Sequence, residues 1–249
     1  MNYIIYDLEF NQEYPSNKAV KTDNYYKLPF EIIQIGAVKL NENFKIISKF
    51  NYLVKPTLYT TIHPYVEDLT KLNMEQLNSS NNFPDVFEKF IKFIGKNNPI
   101  LGVWGTADIK EFIRNIEFHN LDTSLFPKEY IDIQLHASKH FNSPKGRKIG
   151  LRNATEILEI PIKSEFHNAF NDAYYTSKVF KNIYNASIKP LKYVPKPPKA
   201  NNLPKDKLDT VALISQFEKI YNREMSEEEK SIIKLAYIMG KTNQFTTKE

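Results

Sequence analysis

The run Tyr3-Ile-Ile-Tyr-Asp-Leu-Glu-Phe10 is built of β-forming residues and ends in two acids two positions apart. Residues 3–10 therefore read as a buried strand. Strand side chains alternate between faces, so Asp7 and Glu9 project to the same side near its C-terminal end. Two carboxylates placed together repel unless a positive charge sits between them. A divalent cation meets that need, because Mg²⁺ takes hard carboxylate oxygens and keeps several waters. A solvated Asp-x-Glu at a strand end is the plainer alternative, and this pair alone does not separate the two.

Two later segments carry matching chemistry. Residues 100–104 read as a short buried strand and 108–118 as a helix with Ile109, Phe112, Ile113 and Ile116 on one face. Asp108 thus falls in a first helical turn just beyond a strand end, where open α/β sheets place ligands. An acid also favours that position for capping and dipole reasons alone. Residues 169–184 form a helix, with Phe170, Ala173, Tyr174, Ser177, Phe180 and Tyr184 at three-and-four spacing. Asp172 lies in its first turns and His167 just before them. A histidine takes a proton from water near neutral pH, which a metal-bound carboxylate does poorly.

Strand-borne Asp7-x-Glu9, a middle Asp108 after a strand and a late His167-x4-Asp172 on a helix resemble the DEDDh family of 3′–5′ exonucleases. Glu31-Ile-Ile-Gln-Ile-Gly-Ala-Val38 resembles that family's second strand and Tyr52-Leu-Val-Lys-Pro56 its third. Trp104-Gly-Thr-Ala-Asp108 is closer to the RNA-trimming branch than to the proofreading branch. The resemblance spans roughly residues 1–186. Asn171 before Asp172, Phe170 two before it, and a long insertion between the first two strands depart from the family's commonest pattern.

The resemblance implies an α/β chain with an RNase H-like mixed five-stranded sheet flanked by helices, followed by a C-terminal helical appendage. It implies two divalent ions, Mg²⁺ or Mn²⁺, as cofactors. Asp7, Glu9 and Asp172 are expected to hold one, and Asp7 to bridge to a second that Asp108 reaches directly or through water. Two such ions stabilise the attacking and leaving oxygens of an in-line phosphoryl displacement. His167 is the expected general base. Phe10, the residue after the Glu, is the expected contact to the terminal nucleotide, with Glu31 and Trp104 as further substrate-binding candidates. The expected partners are single-stranded RNA or DNA 3′ ends, with RNA favoured on the Trp-Gly-x-x-Asp segment alone. A DNA exonuclease of repair or proofreading type is the alternative within the class. A non-catalytic nucleic-acid-binding module on the same fold is the alternative outside it.

Composition agrees without deciding. The chain has 249 residues, enough for one α/β domain and an appendage, and a net charge of +5 that suits a polyanionic partner. It contains no cysteine, which excludes thiolate chemistry and disulfides. No signal segment opens it and no apolar run approaches ~18 residues, so a cytoplasmic protein without membrane contact is expected. His136 and His140 stand at helical metal-ligand spacing, yet no third ligand accompanies them in a zinc pattern.

Three domains are expected: an exonuclease domain over 1–187, a linker over 188–205, and a helical unit over 206–249. The insertion at 11–29 mixes Lys18, Lys21 and Lys27 with Tyr14, Tyr25 and Tyr26, a combination that grips a backbone and stacks bases. Five prolines and five lysines without an acid make 188–205 an extended, semi-rigid spacer. Ser226-Glu-Glu-Glu229 is a capping box that opens the second of two short helices. Two such helices bury too little alone, so they are expected to dock on the exonuclease body, a second copy or another protein.

Overall fold

The computed structural model describes residues 2–13, 28–95, 99–144, 146–194 and 209–241. The lysines and tyrosines of the insertion, and the linker prolines from Pro195 onward, lie outside these. The chain divides into two compact units, Met1–Pro195 and Lys196–Glu249.

The first unit is built on strands β1 (Tyr3–Asn11), β2 (Glu31–Leu40), β3 (Ile46–Lys55), β4 (Asn81–Asn82), β5 (Ile100–Val103), β6 (Glu129–Asp132) and β7 (Leu191–Lys192). Its helices are α1 (Pro64–Thr70), α2 (Met74–Asn78), α3 (Phe83–Ile94), α4 (Ala107–Phe118), α5 (Ile133–His140), α6 (Leu151–Ile157) and α7 (Ala169–Ile183). The sheet order is β4-β3-β2-β1-β5-β6-β7. Its middle five strands are the sheet expected from the sequence, and a two-residue strand is added at each edge. β1 pairs antiparallel with β2 and parallel with β5, so the sheet is mixed.

Alternation along β1 divides the core. Ile4, Tyr6 and Leu8 pack on one side with α3 and α4, through Phe87, Phe90 and Phe112. Tyr3 and Ile5 pack on the other with Val179, Phe180 and Ile183 of α7. Asp7 and Glu9 share the parity of Tyr3 and Ile5, so they face α7 where the apolar layer ends.

Two expectations are revised. The third strand begins at Ile46, six residues before the Tyr52 segment, because Ile46–Asn51 continues the ladder with β2. Within the spacer, Leu191 and Lys192 pair with β6 and the Tyr193 N–H donates to Lys128 O at 2.8 Å. No proline lies between 191 and 194, so these N–H groups are free to donate.

The second unit contains α8 (Thr210–Tyr221) and α9 (Glu227–Lys241). The expected capping box is present: Glu229 N–H donates to Ser226 Oγ at 3.2 Å and Ser226 N–H to Glu229 Oε2 at 2.9 Å. Gly240 lies inside α9. Among the described residues no helix is long and apolar enough to cross a membrane.

Candidate active site

Three carboxylates converge where α7 begins. Asp7, Glu9 and Asp172 each offer an oxygen, and the three lie within 4.8 Å of one another. They meet because the first turn of α7 lies directly on β2. Asp7 is in register with Gly36 on β2, and a Cβ on Gly36 would overlap backbone atoms of Ala169 and Phe170. Gln34, buried on β2 opposite Glu9, accepts the Ala169 N–H at 3.2 Å and donates to Asn51 Oδ1 at 2.9 Å. Asn168 caps the same helix by accepting from the Phe170 and Asn171 N–H groups. Helix start and strand are thus fixed to each other by packing and by hydrogen bonds.

His167 stands exposed one residue before the cap, in the left-handed region at φ 64°. A non-glycine residue held there carries backbone strain of a kind that gathers at functional sites. Its N–H donates to Asp172 Oδ2 at 3.1 Å, which ties backbone to carboxylate. The other oxygen of Asp172, Oδ1, is buried without a protein partner, as is Thr176 Oγ one turn on.

Electrostatics describe the same cluster. Burial, then the charges of Asp108, Asp172 and Glu9, push the Asp7 carboxyl well above its ordinary range. Burial, then Asp172 and Asp108, push Glu9 up to about 8. Burial, then Asp172 and Glu111, push Asp108 up to about 7. Asp172 is pushed up to about 6 by burial, against the His167 hydrogen bond and the Arg152 charge, which lower it. Among the described residues no lysine or arginine forms a salt bridge with any of the four. Acids that repel in a half-buried site, with one oxygen left unpartnered, have the donor chemistry of a hard divalent cation.

Asp108 lies in the first turn of α4, as expected. It stands outside the group of three whose donor atoms come within 4.8 Å, yet its charge acts on both Asp7 and Glu9.

The three substrate-binding candidates separate. Phe10 is half-buried and meets Phe30 edge-on at 6.0 Å, and Phe30 is exposed. Trp104 packs, half-buried, against the α7-side core. Glu31 corrects its expectation. It is 2% exposed, and its carboxylate accepts the N–H groups of Thr57, Leu58 (2.8 Å) and Tyr59 (2.9 Å). Those acceptors are spent on the loop after β3, so the residue anchors that loop. Replacing Glu31 by Ala is expected to destabilise the chain by about 2 kcal/mol, since three N–H donors, that of Tyr59 buried, lose their common acceptor. A denaturant titration checks this.

Sequence reasoning passed over Gln34, Gly36 and Arg152. The glycine alone left a trace, as a break in an otherwise bulky strand. His136 and His140 lie on α5, and among the described residues no group of potential metal ligands includes them.

Residues 4–180 match the RNase T family model, described as exonuclease. No curated protein matches the chain in sequence. Among solved structures, the nuclease domain of 3′hExo, a DEDDh family member bound to rAMP, superposes with a TM-score of 0.66 at 19% identity, covering 78% of this chain and 97% of that one. The S. pombe Pop2p structure with Mg²⁺ and Mn²⁺ bound gives 0.54 at 18%, over 73% and 82%. E. coli Exonuclease I in complex with a dT13 oligonucleotide gives 0.57 at 16%, over 73% and 40%. At these identities the likeness is one of fold.

Proposed function

Because the chain belongs to the DEDDh family of 3′–5′ exonucleases, we propose that it removes nucleoside 5′-monophosphates from single-stranded 3′ ends, RNA favoured over DNA. The observation that carries this reading is the convergence of Asp7, Glu9 and Asp172 within 4.8 Å beside a strained, exposed His167. Asp7, Glu9 and Asp172 are assigned to one Mg²⁺ or Mn²⁺ and Asp108 with Asp7 to a second, a pair whose charge stabilises in-line phosphoryl displacement.

The chain's own groups do the rest. His167 takes the proton of the attacking water. Its N–H bond to Asp172 holds the base next to the carboxylate cluster. Gln34 and Gly36 fix the start of α7, so Asp172 is placed by the sheet. Phe10 and Phe30 offer an aromatic edge for the terminal base. The Lys196–Glu249 unit is assigned no part in the chemistry.

Preference for RNA rests on the Trp104-Gly105 segment and on likeness to a nuclease domain bound to rAMP. The likeness to an exonuclease bound to dT13 supports the DNA reading. The deciding experiment uses 5′-labelled RNA and DNA of one sequence with Mg²⁺ or Mn²⁺. A ladder shortened from the 3′ end is expected, faster on RNA. Two intact strands under both metals would refute the enzyme reading.

His167→Ala is expected to lower kcat by about 10²–10⁴-fold. It should leave Mn²⁺-induced thermal stabilisation intact, because the imidazole is not a metal ligand in this assignment. If that stabilisation vanished with the activity, the histidine would be a ligand and not the base.

A further inference from the structure

Helix α7 presents a second face beside the one that carries Asp172 and the buried Thr176. Phe170, Tyr174 and Lys178 repeat every four residues on this second face and border a cleft of about 540 Å³. Lys49 of β3 and Lys163 of the loop before α7 complete its basic lining. That volume falls within the roughly 300–1,000 Å³ typical of small-ligand sites, room enough for a nucleotide.

The lysines there are not neutralised. Among the described residues none of the three forms a salt bridge, and a single acid, Glu159, lines the cleft with them. Two are placed by aromatic rings instead. Lys49 Nζ lies 5.9 Å from the Phe170 ring centre and Lys178 Nζ 5.0 Å from that of Tyr174. A ring face positions an ammonium group without cancelling its charge, which leaves it available to an anion.

The wall opposite is fixed in advance. Tyr175 Oη accepts the N–H groups of Lys163 (3.0 Å) and Ser164 (2.8 Å) and donates to Ser164 O (2.9 Å). Asn171 Nδ2 donates to Glu165 O at 2.9 Å. The loop is therefore bound to α7, and the cleft does not depend on a rearrangement to form.

We propose that this cleft binds the nucleotides preceding the one removed, with phosphates against Lys49, Lys163 and Lys178 and a base against the Phe170–Tyr174 edge. Cations tracking a backbone beside aromatic rings are the means by which single strands are held without sequence preference. The placement favours a strand over a free nucleotide. Phe170 and Asn171, which line the cleft, share the first turn of α7 with Asp172, so a strand ending at the carboxylates would meet the cleft next. This inference rests on the exonuclease reading above.

The test uses the full chain, a Lys163→Gln/Lys178→Gln variant and a Lys163→Arg/Lys178→Arg variant. Binding of fluorescent single strands of two and ten nucleotides is measured with EDTA present, beside AMP as competitor. Hydrolysis of the same strands is followed with Mn²⁺. In the Gln variant, affinity for the ten-mer is expected to fall on the order of tenfold. Its log–log salt slope should shrink by about 1.4, as for two lost phosphate contacts on a single strand. Dinucleotide affinity should fall less than ten-mer affinity, and the Arg variant should restore ten-mer affinity. Unchanged ten-mer affinity in the Gln variant would overturn the cleft assignment while hydrolysis by the parent chain leaves the enzyme reading standing. AMP affinity lost in place of ten-mer affinity would make the cleft a mononucleotide site and overturn the strand assignment. A parent chain that binds but never hydrolyses would fail the enzyme reading, and with it the proposal that this cleft serves a cleaved strand.

Discussion

Asp7→Asn is expected to abolish nuclease activity and, in the same protein, to raise the melting temperature measured without metal. The two effects share one cause. Burial, with the charge of three neighbouring acids added to it, holds the Asp7 carboxyl well above the usual carboxylate range. Glu9 is pushed to about 8, Asp108 to about 7 and Asp172 to about 6. A carboxyl with a raised folded pKa keeps its proton in the folded chain after the unfolded chain has lost it. The folded state then binds more protons, and stability falls as pH rises from about 4 through 8. Asparagine keeps the shape and removes one of the four acids, so this fall becomes shallower and the metal-free protein melts higher at pH 8. A divalent ion relieves the same repulsion by replacing protons. Mn²⁺ should therefore stabilise the parent chain more at pH 8 than at pH 6, and the Asn variant much less at either. With Asp7 assigned to both ions in the proposed function, its loss is expected to lower kcat at least ~10³-fold, equivalent to the several kcal/mol such ions supply. Thermal melts at two pH values, with EDTA and with Mn²⁺, check the first half. A variant that melted lower than the parent in EDTA at pH 8 would show that Asp7 is a satisfied structural residue.

The legibility of this site follows from the range of the interactions behind it. Asp7 and Glu9 share a face because a strand alternates, and that needs only three residues of sequence. Asp172 and His167 were placed by helical periodicity, again local. Glu31 was misread because its partners, the N–H groups of Thr57, Leu58 and Tyr59, lie 26 to 28 residues away and leave no pattern in the chain. The Gln34 bond to Ala169 spans 135 residues and was equally silent. Proline count suggested an unstructured stretch from 188 to 205, yet Leu191 and Lys192 joined the sheet because β6 offered an open edge. Local chemistry could name the acids that converge. It could not show what holds them together.

Gly36 supplies that missing piece, and Gly36→Ala is expected to separate the ligands without touching any of them. Its backbone is ordinary extended strand, absent from the positive-φ positions, so alanine meets no conformational penalty there. The obstacle is space. The added Cβ would overlap the Ala169 carbonyl and the Phe170 nitrogen, which are backbone atoms of a helix start already tied to Gln34 and cannot swing aside. The helix must instead lift from the sheet, and Asp172 lifts with it, away from Asp7, whose register partner is Gly36. Overpacking of this kind costs about 1–3 kcal/mol. A displacement of about 1 Å at a reacting centre costs on the order of 10²-fold in rate. Gly102→Ala on β5 provides the comparison, because its Cβ meets the Cδ1 tips of Ile5 and Ile133, flexible side-chain ends and not the backbone of the helix that carries Asp172. Both variants should lose stability. In Gly36→Ala alone, the Mn²⁺-induced rise in melting temperature should shrink and kcat should fall about 10²-fold. Equal losses of both quantities in the two variants would mean that the close approach at Gly36 serves stability only, and that Asp172 is positioned by something else.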